Sequence, residues 1–193
     1  MKNLFKKNDG GFNNLPKKKK KEMLLKAIAG SRWNFECYDK DGNLKWAELD
    51  RPNTITNEGL NAWLNIMFHG ATQITTWYIV PVETDTTAAT TMTYAVPVFT
   101  EWDGYSELTR QEFVEAASTA KSITNSANKA TYTSTESKTL YGGALVGGGT
   151  AADTISDTAG GGTLFCYSKF SSGKPVENTD TFKIYCTISI ANA

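Results

Sequence analysis

The sequence predicts a mainly β protein: an antiparallel β-sandwich, jelly-roll-like, with one short helix, preceded by an extended basic N-terminal arm. Three observations predict it. In "DTFKIYCTISI" the residues Phe182, Ile184, Cys186, Ile188 and Ile190 fall on one side and Lys183, Tyr185, Thr187 and Ser189 on the other, the period of two that marks a half-buried strand. The later sequence repeats short apolar or aromatic runs between glycine-, threonine- and serine-rich turns, and only one segment of it has a helical period. The formal net charge of zero hides a split, because residues 1–32 hold ten of the 20 basic residues and only two of the 20 acidic ones. The chain therefore divides into a basic arm, residues 1–32, and an acidic antiparallel β domain, residues 33–193.

In the arm, "NDGGFNN" is irregular, since Gly10 and Gly11 break a helix. Pro16 suits a first helical turn and Gly30 a C-terminal cap, and between them Met23, Leu24, Ala27 and Ile28 share one helix side. A helix that short is marginal alone in water and calls for a partner surface. "WNFECYDKDGNLKWAEL" then reads as a hairpin: Trp33, Phe35 and Cys37 alternate, "DKDGN" turns, and Leu44 and Trp46 resume. "NTITNEGLNAWLNIMFHG" is the helix, with Leu60, Trp63, Leu64 and Met67 as its apolar stripe, Thr56 or Asn57 as cap, Glu58 in the first turn and Gly70 at the end. "TTWYIVPV" and "YAVPVF" carry Pro81 and Pro97, which place them at strand ends or sheet edges. "KATYTSTES", "TLYGGALVGG", "GTLFCYSKF" and "DTFKIYCTISI" supply the remaining strands.

Chemistry is sparse. The three cysteines, Cys37, Cys166 and Cys186, have no metal-ligand spacing and read as core thiols made in a reducing compartment, with one disulfide among them left open. His69 is the single histidine and follows the apolar end of the helix, where an imidazole suits the dipole. Asp39–Asn43 resembles the start of a calcium loop but resumes a strand pattern at once. "GGALVGGG" and Gly160–Gly162 lack the lysine of a phosphate-binding loop and read as connections. No catalytic, cofactor-binding or metal-binding residue is assigned. The strongest enzymatic alternative uses Glu101, Asp103, Glu107, Glu112 and Glu115 beside Trp102 and Tyr105, as a glycosidase would. No apolar run reaches the roughly 20 residues of a membrane-spanning helix, which argues against membrane insertion.

The five consecutive lysines, Lys17, Lys18, Lys19, Lys20 and Lys21, would suit nucleic acid, anionic lipid or an acidic protein surface. The interleaved apolar residues favour protein over nucleic acid. Phe5, Phe12, Met23, Leu24 and Ile28, with the lysines, are the expected anchoring residues of the arm.

The ordered series "NTITNEGLNAWLNIMF", "TTWYIVPV", "EWDGYSELTRQEF", "SITNSANKATYT" and "LYGGALVGG" resembles a group of tailed-bacteriophage virion proteins that includes head-decoration and head-fibre proteins. It covers roughly Asn53 to Val146, with "TNEGLN", Trp77-Tyr78-Ile79, and Trp102, Tyr105 and Arg110 as its most telling pieces. The chain differs in placing Val80 and Pro81 after Ile79, where the group has glycine and another apolar residue, and the lysine-rich arm lies outside the resemblance. The resemblance implies a structural, non-enzymatic role on the capsid exterior of a virion, after synthesis in the host bacterial cytoplasm. It implies the major capsid protein or another virion protein as partner, and a homo-oligomer, a trimer first of all. The alternatives are a tail or receptor-binding component contacting a host surface glycan, and a virion-borne carbohydrate-active enzyme.

Overall fold

Three side chains of one strand, Trp33, Phe35 and Cys37, are fully buried, and the two sheets are built around them. The computed structural model describes residues 30–190. Strand β1 (Gly30–Tyr38) turns into β2 (Leu44–Pro52) through Asp39–Asn43. There the Asp39 carboxylate accepts from the Asp41 and Asn43 N–H groups at 2.9 and 2.8 Å, and Gly42 takes φ +83°. The expected hairpin is present, and its turn is a side-chain-closed Asx turn. On its other side β1 runs antiparallel to β10 (Thr181–Ser189), in register from Gly30 opposite Ser189 to Tyr38 opposite Thr181. The far edge of β10 is shared by β6 (Ser122–Thr124) and β7 (Ala130–Thr133). The second sheet has the order β3 (Thr54–Ile55), β9 (Thr163–Val176), β8 (Lys138–Gly147), β4 (Trp77–Val82), β5 (Gln111–Glu112), and every pairing in both sheets is antiparallel. The protein is thus mainly β, a two-sheet antiparallel sandwich with a single α-helix among the described residues.

The core between the sheets is aromatic. The Phe35 ring lies 4.6 Å edge-on from Phe170, 5.8 Å from Trp33 and 6.1 Å from Phe182. Each such ring removes about 150–250 Å² from water. Gly143 of β8 makes room for them, because a Cβ there would stand 2.9 Å from the Phe35 ring and 3.3 Å from the Trp33 ring. Of the two overlapping readings of this stretch, "TLYGGALVGG" as strand holds and "GGALVGGG" as connection holds only at its end: residues 142–147 are in β8, and Gly148 and Gly149 enter the turn, both at positive φ. In β10 the alternation holds for Phe182, Ile184 and Cys186, all fully buried. It then fades, with Ile188 half-buried and Ile190 42 % exposed, because the strand runs off the end of the core.

Other expectations are corrected. Gly30 opens β1 rather than closing a helix, and residues 30–32, assigned to the arm by composition, are paired with 187–189. "YAVPVF" is a loop. Pro97 offers no N–H to a ladder, Val98 sits at φ +62°, and Val96 and Val98 face solvent while Tyr94 is buried and Phe99 half-buried. The helix α1 (Asn57–Phe68) starts as expected, with the Thr56 hydroxyl accepting from Gly59 N–H at 2.9 Å. Its packed side is different. Gly59 is its one buried residue, whereas Leu64 and Met67 are 53 % and 60 % exposed. A Cβ on Gly59 would lie 2.6 Å from the Phe165 carbonyl oxygen. The helix has rolled so that its glycine, not its leucine stripe, meets β9.

Candidate functional site

The residues expected to anchor the arm, Phe5, Phe12, Lys17 to Lys21, Met23, Leu24 and Ile28, all lie outside the described residues. Among the described residues, the most deeply buried ion pair lies where the loop before β5 meets the loop between β8 and β9. Glu101 and Arg110 are both about 4 % exposed at their side chains, and the guanidinium meets the carboxylate in a forked contact: Nη2 to Oε2 at 2.7 Å, Nε to both oxygens at 3.0 Å. The remaining donors of Arg110 are also engaged. Nη1 donates to the Ala152 carbonyl at 3.0 Å and to the Tyr94 hydroxyl at 3.2 Å, and Nη2 donates to the Asp157 carbonyl at 3.0 Å. Glu101 accepts further from Ser156 N–H at 2.7 Å. The Tyr94 hydroxyl in turn donates to the Asp157 carboxylate at 2.8 Å.

The electrostatics follow from this geometry. Burial alone would lower Arg110; the bonded Glu101 carboxylate outweighs it and holds the guanidinium above its ordinary value. Burial, with the Asp157 acceptor, pushes the Tyr94 hydroxyl up to about 12. Bonding to Tyr94 and to the Gly160 N–H holds Asp157 below the usual carboxylate range. A cavity of about 180 Å³ adjoins the cluster, walled by Val80, Phe99, Val146 and Leu164. All five guanidinium N–H groups have partners inside the protein. Chemically the cluster is a clamp: it fastens residues 151–157 to β5 and to the loop carrying Tyr94 and Glu101.

The acidic residues named from the sequence do not gather around an aromatic cleft. Glu101 is in the clamp, Glu107 accepts from Thr133 N–H at 2.9 Å, and Asp103, Glu112 and Glu115 are exposed. Trp102 and Tyr105, the would-be sugar platforms, are 0 % and 6 % exposed and meet edge-on within the core at 5.4 Å. Nearby, the Tyr132 hydroxyl donates to the Ile79 carbonyl at 2.6 Å and accepts from Gln111 N–H at 3.1 Å, tying the first sheet to the second.

The other sequence candidates are also placed. Cys37, Cys166 and Cys186 are buried free thiols; burial pushes Cys37 and Cys166 up to about 12. His69 caps the end of α1, its backbone N–H donating to the Asn65 carbonyl at 3.0 Å. Among the described residues no three His, Cys, Asp or Glu side chains are arranged to hold a metal ion, and no helix is long and apolar enough to cross a membrane. Sequence reading missed Tyr94, Ser156 and Asp157. Tyr94 and Asp157 reach Arg110 across 16 and 47 positions and Ser156 reaches Glu101 across 55, through irregular chain where no periodicity exists to reveal the link. Arg110 itself was visible only through the family resemblance. No protein-family model matches the chain, and no curated protein does either.

Proposed function

We propose that this protein is a structural virion protein of a tailed bacteriophage, a head-fibre or capsid-decoration protein that the basic arm before Gly30 anchors to the capsid and that assembles as a trimer. The observation that carries this reading is the role of the residues behind the resemblance. In "TNEGLN", Thr56 caps the helix and donates to the Leu164 carbonyl, Glu58 accepts from Tyr94 and Leu164 N–H groups, and Gly59 lies against Phe165. Trp102 and Tyr105 fill the core, Arg110 holds the clamp, and Asn125 accepts from Cys186 N–H at 2.8 Å. Each holds the body together. A sequence pattern shared for architecture, joined to a basic apolar-studded arm outside that pattern, suits a common projecting domain carried on variable anchors. Apolar arm residues bury surface on the shell, and the lysines steer them there.

The test is gold labelling of purified phage particles with antibody against the body. Label over the heads is the expected result; label over tail tips, or none on particles, overturns it. A second experiment adds purified variants to heads lacking the protein. Serine at all five lysines should slow capture and reduce its salt dependence, whereas F5A/F12A/L24A should speed release.

A further inference from the structure

Between α1 and the turn at residues 90–93 lies an open groove of about 580 Å³. One wall is the helix, which presents Asn57, Asn61 and Asn65; the other is the turn bearing Thr90, Thr91 and Thr93, with Met92 buried behind it. The three asparagines are spaced i, i+4, i+8, so their amides rise along one helix face at intervals of about 6 Å. All three side chains are exposed, as are Thr90 and Thr91. Phe68, 80 % exposed, continues the same face three residues beyond Asn65 and seven beyond Asn61.

The walls are held in place. Asn57 N–H donates to the Thr90 carbonyl at 2.8 Å, and Glu58 accepts from Tyr94 N–H at 2.8 Å and Leu164 N–H at 2.6 Å. One carboxylate thus fixes helix, turn and β9 together, and the groove needs no ordering step before it is used.

We propose that this groove binds a neutral glycan. Its free groups are amides and hydroxyls, which both donate and accept, as sugar hydroxyls do. The amide spacing is close to the length of one pyranose unit. The lining holds no lysine or arginine and one carboxylate, Glu58, so phosphate, sulfate and uronate polymers are disfavoured. Its apolar side chains are Ala62 and the buried Met92, too few for the packed stripe of an amphipathic peptide.

The test titrates the full-length protein with glucan, mannan, galactan and N-acetylglucosamine oligomers, beside heparin and hyaluronan, following backbone amide NMR signals. At least one neutral oligomer should shift signals of 57–68 and 90–93. N61A/N65A should weaken that binding at least about tenfold, with a Tm no lower than wild type's, since both side chains are exposed and alanine is the better helix former. The proposal is overturned if no neutral oligomer binds at up to roughly 10 mM, if N61A/N65A binds as wild type does, or if only the anionic polymers bind. It concerns the groove alone, so its failure leaves the virion assignment standing, and label on tails rather than heads leaves the groove's chemistry unchanged.

Discussion

Arg110 carries a charge into the interior, and its worth depends on Glu101. Removing one partner of a buried pair leaves the other uncompensated, at about 3–5 kcal/mol, whereas removing both leaves neither charge exposed to that penalty. R110M should therefore destabilise strongly and E101M/R110M distinctly less, as measured by urea unfolding; equal losses would mean that the clamp acts through its backbone bonds rather than its charges. Glu48 gives a pH-dependent counterpart. Burial raises its carboxyl, but Lys174 at 3.0 Å, the Ser171 hydroxyl at 2.8 Å and Arg51 outweigh that and hold it below the usual carboxylate range. A carboxyl lower in the folded than in the unfolded chain binds fewer protons when folded, so its stabilisation is full above the unfolded value, about 4.3, and is lost as pH falls through the folded one. Glu36, drawn down by Lys129 and Tyr38 against its own burial, acts in the same sense. Tm should fall between about pH 5 and 2, and E48Q should flatten that fall.

Among the elements, α1 shows two effects opposed in sign. Alanine in place of a mid-helix glycine ordinarily gains about 0.5–1 kcal/mol. At Gly59 the new methyl would stand 2.6 Å from the Phe165 oxygen and 2.7 Å from its Cα, both backbone atoms; overpacking of that kind costs about 1–3 kcal/mol. G59A should lower Tm by a few degrees, while N61A on the exposed side keeps or slightly raises it; a stabilised G59A would show that the helix can lift from β9. The same helix marks what a reader of the sequence could see. Its ends were legible, because Thr56 and Glu58 are local signals. Its packed face was not, because that face is chosen by Phe165, far along the chain. The strands β1 and β10 were legible where one side is buried and the other wet. β3, β5 and β6 have two or three residues each, too few to express a period, and the clamp depends on irregular loops that meet only after folding.

For the whole molecule, the continuous core from Trp33 to Cys186 and the pairing of Gly30 with Ser189 predict that a chain beginning at Gly30 folds by itself. It should melt in one cooperative transition by circular dichroism. A soluble but unfolded product would mean that the first 29 residues complete the core, and the division between arm and body would fall.

The register of β1 on β10 also has a mechanical side. Hydrogen bonds in an antiparallel pair stand across the strands. A pull entering at Gly30 and leaving at Ser189 acts at one end of the pair and opens the bonds in turn, like a zip. A pull entering at Gly30 and leaving by the opposite end, near Tyr38 and Thr181, strains all nine positions sideways together. Were the arm before Gly30 the tether, the body would yield readily to a tug at Ser189 and resist drag on its far loops.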